Sequence, residues 1–294
     1  MSTGGVPERP HLSAIADADV AEVSRFLHAN LNDRVSPQEW AALLDAKWAS
    51  SPQTPNHGFR LTLGRETVGV YVAVYSDRAL GDRIVSICNL AAFCVLPEHR
   101  AHSLRLVRAV LGQKGYFFTD FSPSGNVPAM NDRLGFTRLD TSTRVVVNLP
   151  SARKNGWAIT DDHDEIAKAL SAEDFRIYND HRTAPAARHL LVRRDADYAY
   201  VIYRRDRRKR MAAFASPLHV LGKPGVLEDA WAQVCWFLLR RGFLMTLAES
   251  RVLRFSPAGP GRELKRPRPK MYKGDGLRES EIDYLYSELT LLEW

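Results

Sequence analysis

The run Val95-Leu96-Pro97-Glu98-His99-Arg100-Ala101-His102-Ser103-Leu104-Arg105-Leu106 gathers a proline, two histidines and two arginines between an apolar stretch and an amphipathic one. The apolar side reads as a strand and the amphipathic side as a helix. A helix start leaves backbone N–H groups unpaired and carries a partial positive charge, so this junction is suited to a phosphate-bearing ligand.

Other residues of chemical interest are accounted for more simply. Asp161-Asp162-His163-Asp164-Glu165 has the residue types of a metal cluster, but it follows Thr160 and opens a helix, where acids answer the helix dipole. No metal site is expected. The three cysteines, Cys88, Cys94 and Cys235, form no C-x-x-C pair, which argues against a disulfide framework or structural zinc and fits a reducing compartment. Cys94, within an apolar strand, reads as a small core residue. The densest basic run, Arg204-Arg205-Asp206-Arg207-Arg208-Lys209-Arg210, falls at a hairpin turn. There it reads as a solvated loop, with contact to a polyanion such as RNA or an anionic glycan carrier as the alternative. The aromatics flanking it fit strand positions and form no base-stacking platform.

The elements that must position these residues follow from periodicity. The 294 residues, 45% hydrophobic and 26% charged, are enough for two globular domains. The net charge of +7 permits an anionic partner without choosing among nucleotide, nucleic acid and membrane. Residues 1–13 lack a secretory apolar core, and no apolar run approaches the ~20 residues of a spanning helix. A soluble cytoplasmic protein without a membrane span is expected.

In the first half, Val20, Val23, Leu27 and Leu31 mark one helix. Ser36-Pro37-Gln38-Glu39 is a capping box opening a second, with Trp40, Leu43, Leu44 and Trp48 on one face. A hairpin over 59–75, a long central strand over 83–95, the junction helix with Leu104, Val107 and Leu111, and a strand over 116–121 come next. A short helix at 129–134 leads through Gly135-Phe136 to a last strand at 145–147. The second half repeats this rhythm: a helical region over 164–178, a hairpin over 189–203, a long strand over 211–221, and a helix ending at Arg240-Arg241-Gly242 before a strand over 243–247. The spacing predicts a duplicated mixed α/β fold, divided into 1–150 and 151–294. Residues 255–276 are expected as a long loop or wrap, and Leu289, Leu291, Leu292 and Trp294 as a docked tail.

Val95-Leu96-Pro97-Glu98-His99-Arg100 resembles the V-x-P-x-x-R signature of the GNAT (GCN5-related) N-acyltransferase family, and Leu134-Gly135-Phe136 resembles its L-G-F. The good match covers about residues 10–150, with a weaker echo over about 160–255. The resemblance implies an α/β (α+β mixed sheet) fold of two tandem GNAT-like domains, the second degenerate. It implies an enzyme moving an acetyl or other acyl group from acetyl-CoA or another acyl-CoA, as co-substrate, to a primary amine of a small molecule or amino sugar. Arg100, Ala101, His102, Ser103, Leu104 and Arg105 would hold the pyrophosphate, and the Cys94 and Val95 backbone would pair with the pantetheine.

The chain departs from that pattern. Where the family prefers R-x-x-G-x-G/A, Ser103 and Arg105 replace glycine, which elsewhere lets the backbone close on the pyrophosphate. Arg105 reads either as a replacement phosphate ligand or as a solvated residue beside Arg108, and His99 and His102 as phosphate helpers or surface histidines. The family's glutamate base falls at Asn89 and its tyrosine acid at Asn131, neither suited to proton transfer, although asparagine can orient substrate or the thioester carbonyl. Asp120 is the best nearby carboxylate, with turn capping near Ser122-Pro123 as its other reading. Two rivals stand beside the acyltransferase: a Fem-like aminoacyltransferase using charged tRNA, favoured by the basic run and the eroded glycines, and a non-catalytic CoA-binding or scaffold protein, favoured by the two asparagines.

Overall fold

The computed structural model describes residues 9–46, 48, 56–80, 82–152, 156–208 and 211–293. Chain contacts divide it into two compact units, Met1–Asp120 and Phe121–Trp294.

The first unit runs β1 (His11–Ala14), α1 (Val20–Asn30), α2 (Pro37–Leu44), β2 (Gly58–Leu63), β3 (Glu66–Leu80), β4 (Arg83–Val95), α3 (Ser103–Leu111) and β5 (Phe117–Asp120). The capping box forms as expected: the Glu39 N–H donates to Ser36 Oγ at 3.2 Å, and the Ser36 N–H donates to the Glu39 carboxylate at 2.7 Å. Such a cap stabilises a helix by about 1 kcal/mol and here fixes α2 with Trp40, Leu43 and Leu44 buried. The strands pair in chain order, antiparallel except for β4 with β5. Helices α1, α2 and α3 all pack on β3, which is therefore buried at every position from Thr67 to Ser76. The long central strand at 83–95 is found as read from its apolar run.

The second unit continues with α4 (Val127–Arg133), β6 (Thr137–Arg138), β7 (Thr143–Val147), β8 (Ala158–Thr160), α5 (His163–Ala169), α6 (Ala172–His181), β9 (Arg188–Arg194), β10 (Asp197–Arg208), β11 (Met211–Gly222), α7 (Val226–Asp229), α8 (Trp231–Arg240), β12 (Met245–Glu249), α9 (Ser250–Leu253), β13 (Gly261–Glu263), β14 (Met271–Lys273) and α10 (Glu288–Leu291). Seven strands form one sheet in the order β13-β7-β12-β11-β10-β9-β8, and β6 pairs with β14. Asp162 caps α5 by accepting the N–H groups of Asp164 and Glu165, the cap reading of that acidic run.

Several expectations change. The boundary lies at 120/121 instead of 150 because β7, read as the last strand of the first half, is flanked by β12 and β13. Pairing on both sides satisfies its backbone, and the buried Asn148 just beyond it fastens the end by donating to the Phe243 carbonyl at 2.8 Å and accepting from Thr246 at 2.9 Å. The 255–276 wrap supplies two strands, β13 and β14. Arg204–Arg208 are not a solvated turn: they are the end of β10, while Lys209 and Arg210 lie outside the described residues. Leu289, Leu291 and Leu292 are buried as a docked tail requires, and Trp294 lies outside the described residues. Among the described residues no helix is long and apolar enough to cross a membrane.

A histidine in this second core makes it acid-sensitive. His189 is buried, and its Nδ1 lies 2.6 Å from the Tyr200 hydroxyl. Burial first, then the charges of His163 and His181, pull its pKa down to about 4. The folded value lies below the unfolded one, so the unfolded chain takes the extra proton as pH falls from about 6.5 to 4, and stability is lost through that window. Urea unfolding should show about 3 kcal/mol less stability at pH 4 than at pH 7 from this group. His189→Gln should flatten that acid limb.

Candidate functional site

The site begins where β4 and β5 part. Among the described residues β4 keeps β3 as its neighbour as far as Val95, but meets β5 only through Ile87, Cys88 and Asn89, opposite Phe117, Phe118 and Thr119. From Leu90 onward β4 forms no ladder with β5 among the described residues. The opening starts with a bulge: Val72 faces Ala92 and Ala73 faces Leu90, leaving Ala91 as the extra residue. A bulge bends its strand and adds twist, which turns β4 away from its parallel neighbour.

The open edge carries a defined set of backbone groups. The Leu96 N–H donates to the Val68 carbonyl at 3.0 Å, and an antiparallel ladder alternates inward and outward pairs. Cys94 therefore turns its N–H and C=O to Val70 on β3, while Phe93 and Val95 turn theirs to the open side. Of the two residues named from the sequence, Val95 thus has outward backbone groups and Cys94 does not, and Phe93 joins Val95. The Cys94 thiol itself is buried, pushed up to about 11 by burial with only Arg100 pulling the other way, so it remains a packed thiol.

The turn leaving β4 is tighter than expected. Pro97–His102 form a 3-10 turn that runs straight into α3 at Ser103. The turn uses amides that a glycine loop would leave free: the His99 N–H donates to Leu96 O at 2.9 Å and the Ser103 N–H to Arg100 O. With the backbone cradle reduced, the side chains matter more. Arg100 is exposed, Ala101 is small and exposed, and His102 and Ser103 are half-buried at the helix entry. The first turn of α3 contains no acid, so nothing there opposes an anion. Leu104 is exposed. Arg105 is held: its Nη1 donates to the Pro10 carbonyl at 2.6 Å, so that group anchors the chain before β1.

At the base of the opening, Asn89 is 1% exposed and donates from Nδ2 to Thr119 Oγ1 at 3.1 Å. It clasps the last rung that β4 and β5 share. Asp120 is buried at the end of β5. Tyr71, opposite Phe93 on β3, is held as a neutral phenol: burial raises its pKa well above the usual value, and the nearby charges of Asp120 and Cys88 push it the same way. Asn131 belongs to the second unit, where it is fully buried in α4 and its carbonyl accepts the N–H groups of Leu134 and Phe136 at 3.0 Å each. Its backbone thus shapes the Leu134-Gly135-Phe136 turn. Sequence reasoning missed Tyr71, Ala91, Phe93 and Thr119, because an apolar strand gives no local sign of where its neighbour leaves it.

The second unit repeats the pattern within itself. Among the described residues β11 runs parallel to β12 only through Phe214 and Ala215, and a bulge at Leu218 follows, where Ile202 faces His219 and Tyr203 faces Pro217.

No family model matches the sequence, and no curated protein matches it. Solved structures do share the fold. A GCN5-related N-acetyltransferase from Anabaena variabilis superposes with a TM-score of 0.59 at 10% identity, covering 90% of this chain and 72% of that one. One from Kribbella flavida gives 0.54 at 14% identity, covering 90% and 70%. A fungal structure described as a GCN5-related glucosamine N-acetyltransferase region gives 0.55 at 12% identity, covering 91% of this chain and 38% of that one. The chain therefore has the fold of GCN5-related N-acetyltransferases.

Proposed function

We propose that this fold serves an acyl-CoA-dependent N-acyltransferase, with the acyl-CoA bound along the opened edge of β4. The observation that carries the reading is the release of β4 from β5 after Asn89, with Phe93 and Val95 turning backbone donors and acceptors outward. An extended pantetheine chain bears two amides at strand-like spacing and can add to such an edge as a further strand would. Arg100, whose charge is felt at Cys94 near the end of that edge, then meets the pyrophosphate together with the start of α3.

Transfer requires the acceptor amine to attack the thioester carbonyl, lose a proton, and expel the CoA thiolate, which gains one. Asp120, buried at the end of β5 just past the last shared rung, is read as the carboxylate to take the amine proton. Tyr71 remains a phenol near it and is the available donor. Asn89 acts by positioning, since its amide holds Thr119 and with it the geometry from which the strands diverge. Asp120→Asn should lower kcat about 100–10,000-fold while leaving the acyl-CoA Kd unchanged, measured by thiol release and calorimetry.

The acceptor is read as a primary amine on a small molecule or amino sugar, in keeping with the glucosamine transfer attributed to the fungal neighbour. The two units are read as tandem GNAT-like copies, supported by their shared strand order, bulge and short parallel contact. The second is the degenerate copy, since Glu228 and Asp229 crowd the helix following β11.

The test is calorimetric titration with acetyl-CoA. Arg100→Ala should weaken binding by about 1.5–3 kcal/mol, roughly 10–150-fold, by removing a charge-assisted phosphate contact. Unchanged affinity in that variant would reject the placement. CoA binding without thiol release across an amine panel would favour the non-catalytic alternative.

A further inference from the structure

Among the described residues, two arginines in the basic run of β10, Arg204 and Arg208, close no ion pair with a carboxylate, and both line one cleft. Alternation along the strand turns Arg204, Asp206 and Arg208 to the same face. They line the cleft with Ser216 and Leu218 of β11, beyond the point where that strand leaves β12.

The acids around this cleft are already engaged. The Glu249 carboxylate accepts from Lys270 Nζ at 2.7 Å and from the Tyr284 hydroxyl. Asp206 pairs with Arg268 at 3.2 Å, and Glu288 accepts from Ser122 Oγ at 2.6 Å. Among the described residues Arg204, 2% exposed, donates to neutral carbonyls, Leu292 O at 3.0 Å and Arg205 O at 3.4 Å. The Nε of half-buried Arg208 is shut off from water and has no hydrogen-bond partner. Burial pushes the pKa of both guanidiniums down; Asp206 favours and Arg268 opposes the charged form of each, and Glu288 and Glu293 also favour that of Arg204. A guanidinium cannot shed its proton to escape that cost, so the remedy is a counter-charge.

We propose that this cleft is a binding site for a small oxyanion, a phosphate or carboxylate group, held between Arg204 and Arg208. The planar fork of a guanidinium matches two oxygens of either group. Leu218, Leu247 and Leu289 form the apolar part of the lining, where the short chain of an organic acid packs.

The full-length chain carrying Ser103→Asp, which removes the anion-binding character of α3, is titrated by calorimetry with inorganic phosphate, acetate and butyrate. Sodium chloride of equal ionic strength is the control. One saturable equivalent is expected for at least one oxyanion and none for chloride. Arg208→Gln should weaken it at least 10-fold, while Arg207→Gln, on the exposed face of β10, should leave it unchanged. Butyrate binding more tightly than acetate or phosphate identifies a carboxylate ligand, and the reverse order a phosphate. Should Arg208→Gln not fold, Arg208→Lys should weaken binding several-fold by losing the fork. Absence of saturable binding, equal response to chloride, or equal losses at positions 207 and 208 would overturn the proposal. None of these outcomes depends on whether acyl-CoA binds the first unit.

Discussion

Ser103→Asp is expected to abolish acyl-CoA binding without loss of stability. The residue opens α3, where an acid is compatible with the helix dipole and typically adds a few tenths of a kcal/mol. The same carboxylate would stand a few ångströms from a bound pyrophosphate. At about 5 Å and an effective dielectric near 20, each pair of like charges costs about 3 kcal/mol, so affinity should fall at least about 200-fold. Thermal unfolding and calorimetry separate the two effects: an unchanged or slightly raised Tm with lost acetyl-CoA binding is the expected pair of results. Retained binding would show that the pyrophosphate does not sit at this helix start. Ser103→Ala is the control and should bind nearly as wild type, because small size is what the position provides.

Glu249→Ala should be the most damaging single change to the second unit. This buried carboxylate answers Lys270 at 2.7 Å, the Tyr284 hydroxyl, and Arg251 at 3.5 Å. Lys270 also lies 3.4 Å from the centre of the Tyr284 ring. Removing the carboxylate leaves two cations facing each other in a desolvated place, a loss of about 3–5 kcal/mol in urea unfolding. The double variant Glu249→Leu with Lys270→Met removes the carboxylate together with the nearer of its two cations and should recover part of that loss. Equal destabilisation of single and double variants would mean that side-chain volume, not charge, governs the site.

The same cluster makes stability depend on alkaline pH. Burial pulls the Lys270 pKa down to about 8 from 10.5, with Glu249 opposing the shift. The unfolded chain therefore holds a proton that the folded chain has released between those values, and wild-type stability rises with pH across that window. Without Glu249 the lysine falls further, so the rise should begin at lower pH.

Much of the architecture was legible because its signals are local. The capping box at Ser36, the N-cap at Asp162 and the apolar run of β4 each draw on residues within a few positions of one another. The junction after β4 was equally plain, since a proline, an arginine and the onset of helical periodicity adjoin. The basic run was seen but misplaced: its composition resembles a solvated turn, and only the alternation of buried and exposed positions along β10 shows that Arg204, Asp206 and Arg208 face inward.

By itself, then, the sequence determined the order of the longer strands and helices, several of their caps, and a cationic helix entry after the apolar strand β4, because these depend on short-range periodicity and backbone preference. Tertiary structure decided where β4 leaves β5, which sheet receives β7, that Arg105 is spent on Pro10 95 residues away, and that Arg204 reaches the carbonyl of Leu292 88 residues on. Those outcomes rest on pairing between distant segments, where many partners satisfy the same local pattern and only the packed whole selects one.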